Sequence, residues 1–461
     1  MKSVSKRILS LATSMLFIMV LTLFPAIPAI ATSCACGTQQ IVVQGYDWGP
    51  AVTKIILTMN VLVDSNSINK NSFTVKTTVE GIKEAVERTV SDAYICDASG
   101  NKTCAIRGNM IALDMEVVKS DTAGNPFFYN QWYNEWADPY TNAITATGLR
   151  SNCVPVSVSI NPQPISRIVP ILSQFSINNK FTASDNTTLN YAFHKPAADC
   201  NKHPLVIWLH GMGEGFTGGG SEIPILGANL SNLVSDKFQS IMGGAYLLIP
   251  QANTYWMDDG VAPMSMSTGG THSIYETSLW ELIQCFEKNH SDIDTNRIII
   301  GGCSNGGYMT MNMIFLHPDY FAAAFPICAP YENQYVTDCM INSIKNLPIR
   351  YTQALGDELV NPLDSITIFN RLIEAGSKVA QISLFGPIED SMGNKGSEAG
   401  YIQHFSWVFA LDDSYNKALT IPAHTDTEEG GSAFGRPGFT FQLEEPNNQT
   451  SLWCWLANQT K

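Results

Sequence analysis

The sequence predicts two parts: a small all-β sandwich, then a larger α/β unit built on a doubly wound, mostly parallel sheet. Three observations lead there. Between about residues 38 and 165 apolar and polar residues alternate in short runs, the period-2 pattern of half-buried strands. Beyond residue 170 the apolar runs are continuous and alternate with helical patterns, as in a parallel sheet covered on both faces. A proline-containing stretch, 161–169, separates the two rhythms.

Taken in chain order, residues 1–31 stand apart. Lys2, Lys6 and Arg7 precede an apolar run over 8–30, and Ala29-Ile30-Ala31 has the small-residue pattern of a cleavage site. This predicts an export signal and a secreted, extracellular mature chain. The run is long enough to span a bilayer, so an uncleaved anchor stays open. Lipid attachment at Cys34 is a weaker alternative, because Ala31-Thr32-Ser33 is a poor lead-in for it. Apart from such an anchor, no membrane association is expected of the mature form.

In the first unit, Phe73, Val75, Thr77 and Val79 alternate with Thr74, Lys76, Thr78 and Glu80. Ile111, Leu113, Met115 and Val117 alternate with Ala112, Asp114 and Glu116. Further strands are expected over 40–46, 52–59, 89–96, 143–149 and 155–160, about seven in all, which suits a small immunoglobulin-like β-sandwich over 38–165. Segment 126–140 gathers Phe127, Phe128, Tyr129, Trp132, Tyr133, Trp136 and Tyr140. It reads as a long loop whose aromatics bury against the sandwich or the next unit; a carbohydrate platform or an entry wall for substrate is the functional alternative. This unit is also where a homo-oligomer contact would form.

In the second unit, 170–461, buried strands are expected over 204–210, 245–250, 297–301, 321–327, 348–354 and 380–385. A helix is expected over 274–286, where Ile274, Leu279, Leu282, Ile283 and Phe286 recur at three- and four-residue steps, and others over 306–316 and 363–375. Residues 412–447, with Glu428, Glu429, Gly430 and Gly431, read as an insertion, either a lid or a passive surface loop.

The formal charge is −14; removal of residues 1–31, which hold three cations and no acid, leaves −17. Such a chain is a poor partner for nucleic acid or acidic lipid. Eleven cysteines fit an oxidising destination. Cys96 with Cys104 is the best local pair, and Cys153 and Cys200 could staple the junction between units. No paired CxxC spacing with histidines suggests zinc, so neither a metal nor an organic cofactor is expected.

The strongest chemical signal is Gly302-Cys303-Ser304-Asn305-Gly306, a G-x-S-x-G motif between the apolar strand at 297–301 and the helical pattern that follows. A sharp strand-to-helix turn lifts a serine oxygen clear of the backbone, and flanking glycines avoid collisions there. Ser304 is therefore the expected nucleophile. A serine hydroxyl needs a base held against it, and in this arrangement acid and histidine follow in that order. His404 lies just beyond the last expected strand; His424, the other late histidine, lies in a polar, acidic stretch. Asp357 ends the strand at 348–354, at the sheet edge where such sites are built; Glu358, Asp364 and Asp390 are the alternatives. Leu209-His210-Gly211-Met212-Gly213-Glu214-Gly215 follows a buried strand and reads as an oxyanion loop. One donor is expected from the Asn305 N–H and one from Met212, each worth on the order of 3 kcal/mol. Gly213-x-Gly215-x-x-Gly218 formally matches a dinucleotide fingerprint, but no helix opens there. His210 is expected to orient the loop.

The motifs HGMGEG, NRIIIGGCSNGGYMTMNM, PICAPY, ALGDELVNP and QHFSW resemble bacterial α/β-hydrolase esterases related to polyhydroxyalkanoate depolymerases and feruloyl esterases. QGYDWGPAVTKIIL looks like the members that carry an immunoglobulin-like domain before the hydrolase. The resemblance implies carboxylic-ester hydrolysis of a small-molecule or polymer-linked ester, with Ser304, Asp357 and His404 at the triad positions. A serine peptidase of the prolyl-oligopeptidase type and a non-catalytic glycan- or wall-binding protein are the competing readings.

Overall fold

The computed structural model describes residues 33–130, 132–216, 220–261, 265–418 and 451–461. The export segment, Gly218, His424 and most of the 412–447 insertion lie outside the described residues.

The N-terminal unit begins with a long hairpin, β1 (Ser33–Tyr46) and β2 (Gly49–Asp64), in antiparallel register from Gly37 opposite Met59 to Tyr46 opposite Gly49. Then come β3 (Phe73–Val79), β4 (Val86–Arg88), β5 (Val90–Ile95), β6 (Arg107–Met115), β7 (Phe127–Tyr129), β8 (Asn134–Trp136), β9 (Tyr140–Ala146), β10 (Arg150–Ser151), β11 (Val154–Ile160) and β12 (Ser166–Ile168). A seven-stranded sheet runs β10-β11-β1-β2-β6-β5, with β12 also on β1, and a three-stranded sheet runs β4-β3-β9. The alternation dictates the packing. Val43, Ile55, Leu57, Ile111 and Leu113 from the larger sheet meet Val75, Val79 and Ile144 from the smaller one in a single core. Burying each such side chain contributes about 1.5–3 kcal/mol before chain entropy is subtracted. The stretch at 161–169 is not purely a linker: Ser166, Arg167 and Ile168 pair in parallel with Gln40, Ile41 and Val42.

The aromatic segment is a small hairpin rather than a long loop, β7 opposite β8 with Phe127 facing Trp136. Burial accounts for part of it: Phe127 packs on Ile223 and Leu226 of the second unit, and the Trp136 indole donates to Glu222 (3.2 Å). Tyr129 and Trp132 remain exposed.

The second unit holds one eight-stranded sheet in the order β13-β14-β16-β15-β17-β18-β19-β20. Its strands are β13 (Ser176–Thr182), β14 (Thr188–His194), β15 (His203–Leu209), β16 (Tyr246–Gln251), β17 (Ile293–Cys303), β18 (Ala323–Ile327), β19 (Arg350–Ala354) and β20 (Gln381–Phe385). The run from β16 through β20 is parallel; β13 and β14 form an antiparallel edge hairpin. Strand β15 is buried along its whole length. Its odd residues, Leu205, Ile207 and Leu209, enter the core under α3 (Glu276–Asn289) and α4 (Asn305–Leu316). Val206 and Trp208 enter the opposite core under α2 (Asp236–Met242), α7 (Trp407–Leu411) and α8 (Leu452–Ala457). The remaining helices are α1 (Glu222–Gly227), α5 (Asp338–Ile344) and α6 (Pro362–Glu374). This is a doubly wound sheet with helices on both faces, the α/β-hydrolase architecture behind an immunoglobulin-like sandwich.

Asp47, in the β1–β2 turn, ties the units together. Its carboxylate accepts from Asn229 Nδ2 (2.9 Å), Ser391 N (3.0 Å) and Ser391 Oγ (2.6 Å). The expected disulfides are not formed, and all eleven cysteines are free. Cys96 turns into a small cluster with Val42, Ile56 and Ala112 while Cys104 faces solvent; Cys153 and Cys200 are both exposed thiols. No helix among the described residues is long and apolar enough to cross a membrane.

Candidate active site

The sheet delivers every expected site residue to the C-terminal ends of its parallel strands. Ser304 sits between β17 and α4 with φ 53° and ψ −117°, a backbone conformation that costs a non-glycine residue on the order of 1–3 kcal/mol. Surrounding contacts hold it there: Ser304 N–H donates to Ile327 O (2.9 Å) and Tyr308 N–H donates back to Ser304 O (2.9 Å). The motif glycines are steric requirements. A Cβ on Gly306 would lie 2.0 Å from Leu209 O, and one on Gly302 2.4 Å from the same oxygen.

Asp357 and His404 come together across 47 residues. His404 Nδ1 lies 3.0 Å from Asp357 Oδ1 and 2.9 Å from Oδ2, and both side chains are nearly inaccessible. The carboxylate is itself held. Oδ1 accepts from the N–H groups of Leu359 (3.0 Å) and Val360 (2.9 Å), and Oδ2 from Gln353 Nε2 (3.2 Å). Gln353 is steadied by the Ser365 hydroxyl (3.3 Å). Neither residue was expected at the site; Gln353 is one of three buried polar residues in β19, with Arg350 and Thr352, so its polarity alone did not mark it. The alternative acids are committed elsewhere: Asp390 to Tyr401 Oη (2.7 Å) and Asn394, Glu358 to the Gln403 N–H (2.8 Å).

Cys328, just past β18, was also missed. Its Sγ, an Asp357 carboxylate oxygen and a His404 ring nitrogen lie within 4.8 Å of one another, the one such group of three potential metal-ligating side chains among the described residues. Burial and the Asp357 carboxylate push the thiol pKa far up. Without a metal, Cys328 is thus a neutral thiol packed beside the acid–histidine pair. Among the described residues no hydrogen bond joins Ser304 Oγ to His404; in ligand-free sites this bond is often long and tightens only when substrate is bound.

Met212 and Asn305 each open a helical turn, Met212 the short one over Met212–Glu214 and Asn305 helix α4. First-turn N–H groups have no partner within their own helix, so both amides are available to an anion. His210 fixes the loop from below. Its Nδ1 lies 2.6 Å from Gly211 O and must donate, while Nε2 accepts from Ala252 N–H (3.0 Å). Burial pulls its pKa down to about 4, so the ring stays neutral. Glu214 folds beneath the same loop. Burial raises its carboxyl to about 7, against the opposing pull of the Gly211 and Glu214 backbone N–H groups.

Residues 38–189 match the esterase Ig-like N-terminal domain family, and residues 279–340, which span Ser304, match the prolyl oligopeptidase family. Among solved structures the chain is similar to a thermostable esterase at 20% identity, over 81% of this chain and 96% of that one, with a TM-score of 0.64. An acylaminoacyl peptidase of Pyrococcus horikoshii aligns at 17% identity over 55% of this chain and 43% of that one (TM-score 0.36). A ferulic acid esterase aligns at 17% identity over 46% and 91% (TM-score 0.35). No curated protein matches the chain. The first of these likenesses agrees with the fold described above. The two family matches fall on the N-terminal sandwich and on the segment around Ser304, in agreement with an α/β-hydrolase fold that carries an immunoglobulin-like domain in front.

Proposed function

We propose that this protein is a secreted serine carboxylesterase. The observation that carries the reading is the contact of both Asp357 oxygens with His404 Nδ1 at 2.9–3.0 Å, beside a serine held at positive φ. Asp357 keeps the Nδ1 proton in place, which leaves Nε2 as the free base. Ser304 Oγ attacks the ester carbonyl as His404 takes its proton. The Met212 and Asn305 N–H groups meet the developing oxyanion, and the proton passes to the departing alcohol. Water then attacks the acyl-serine by the same route. Every protein group in these steps belongs to this chain.

The test is hydrolysis of a short-chain nitrophenyl ester by the full chain and by Ser304→Ala. Loss of at least about a thousandfold in kcat supports the mechanism, and unchanged turnover sinks it. A peptidase reading is favoured by the match of 279–340 to the prolyl oligopeptidase family. Matched ester and anilide substrates with the same acyl group separate the two readings, and faster anilide cleavage would reverse the assignment. Export is supported by the basic-apolar-small order of residues 1–31. It is tested by the N-terminus of the protein recovered from culture medium, expected at Thr32.

A further inference from the structure

The N-terminal domain touches the catalytic half on both sides of the candidate site. On the oxyanion side, the β7–β8 hairpin closes over Gly213, the residue after Met212. A methyl group placed on Gly213 would lie 3.5 Å from the Tyr129 ring and 3.2 Å from Asn134 Nδ2. Tyr133 stacks on Phe216 at the end of the same loop, with ring centres 5.1 Å apart and planes 21° from parallel. On the histidine side, the segment after β6 brings the Lys119 ammonium to 4.3 Å from the centre of the Tyr401 ring. Tyr401 lies three residues before His404. The Lys119 Nζ is also 3.7 Å from where a Cβ of Gly400 would stand.

Between these two contacts the domain holds a cavity of about 370 Å³, walled by Trp48, Phe127, Phe128, Tyr129, Val118 and Lys119. The volume is at the lower end of what small-molecule sites occupy. Trp48 on its wall adjoins Asp47, the residue that ties the two units together through Asn229 and Ser391. Aromatic and aliphatic side chains supply about half of the surface and polar groups the rest, and the charges on it are unequally answered. Arg88 is paired with Asp121 (2.7 Å), and the Glu80 carboxylate accepts from the Asp138 N–H (3.0 Å). Lys119 is half-buried and, among the described residues, has no carboxylate within ion-pairing distance. Asp390, the acid that acts on it through space, is already engaged by Tyr401 and Asn394. A half-buried ammonium with no ion-pair partner among the described residues is an anchor for an anion.

We propose that this cavity is a substrate subsite supplied by the N-terminal domain, and that it receives an apolar group ending in a carboxylate, as in the monoester of a dicarboxylic acid. The reading rests on the ester hydrolysis proposed above and adds the substrate class. The aromatic side of the cavity, Trp48, Phe127 and Phe128, would hold the chain, Lys119 its far end, and Tyr129 would stand between the subsite and the oxyanion loop.

Two measurements test it, one of which needs no turnover. In the first, full-length Ser304→Ala protein is titrated calorimetrically with monomethyl adipate and with its neutral counterpart, dimethyl adipate. The monoester is expected to bind about tenfold more tightly, about 1.4 kcal/mol, and Lys119→Met to bring the two together, since the charged hydrogen bond is then lost. Lys119→Arg should restore most of the difference, which separates the charge from a folding defect. In the second, the ratio of kcat/KM for the two esters is compared between the unmodified enzyme and the Lys119→Met variant, and the variant is expected to show the same loss of preference. Equal binding of both esters to the Ser304→Ala protein, or an undiminished preference in Lys119→Met, overturns the subsite. Discrimination in binding with no hydrolysis of any ester by the unmodified chain would leave the subsite standing and remove the esterase reading instead.

Discussion

Replacing Asp357 by asparagine exchanges one oxygen for an NH2 group and leaves the volume unchanged, so its effect isolates the role of the carboxylate. The Leu359 and Val360 N–H groups, 3.0 and 2.9 Å from Oδ1, keep an acceptor only if the amide oxygen takes that position. The new NH2 then stands where Oδ2 was, 3.2 Å from Gln353 Nε2 and 2.9 Å from His404 Nδ1. Two donors then face each other at Gln353, and Nδ1 must become an acceptor. The ring proton therefore moves to Nε2, the atom that has to be free to take the serine proton. The expected loss in kcat is about 10⁴-fold, or about 5.5 kcal/mol in the barrier. The donor conflict should cost folding about 1–3 kcal/mol. Steady-state hydrolysis of nitrophenyl butyrate, run beside a thermal melt, reads both. A fall in kcat of less than about tenfold in a folded protein would refute the assignment of the acid.

Ser304→Gly should abolish turnover yet raise stability by about 1–2 kcal/mol, because glycine occupies φ 53° without strain; a lower melting temperature would contradict the strained-elbow account. Gly306→Ala should give insoluble or strongly destabilised protein, since its Cβ would stand 2.0 Å from Leu209 O; an unchanged melting temperature would show that the elbow yields. Glu214 carries a sign that can be checked. Its folded pKa, pushed up to about 7 from 4.5 by burial, means that the stability it contributes is fully present below pH 4.5 and is lost as pH rises through 7. Glu214→Gln should therefore remove a decline on the order of 3 kcal/mol between those values. Denaturant titrations at about pH 5 and pH 8 measure it, and equal pH dependence in the two proteins would argue against a buried neutral carboxyl.

What the linear sequence determined is what depends on neighbours along the chain. The continuous apolar runs at β15, β16 and β17 and the alternation in β3 and β6 report burial residue by residue, so strand identity and the two-part architecture were legible. Ser304 was legible for the same reason, because strand, tight turn and helix are contiguous. The edge hairpin β13–β14 escaped notice because its strands, SINNKFT and TLNYAFH, are only partly buried and lack a continuous apolar run. The β7–β8 hairpin was hidden likewise, its aromatics marking contact area without saying what they touch. Cys96 and Cys104 looked like a pair by spacing, but Cys96, just past β5, packs inward while Cys104, in the loop before β6, faces solvent. The tertiary structure alone decided the partners. Of several acids near the right position, only Asp357 meets His404, because the ends of β19 and the loop after β20 converge there while Asp390 and Glu358 are drawn to Tyr401 and Gln403. Tertiary structure alone also laid Tyr129 on Gly213 and Lys119 on Tyr401. Local pattern records how much of a residue is buried; which residue buries it is settled only when distant strands are stacked in order.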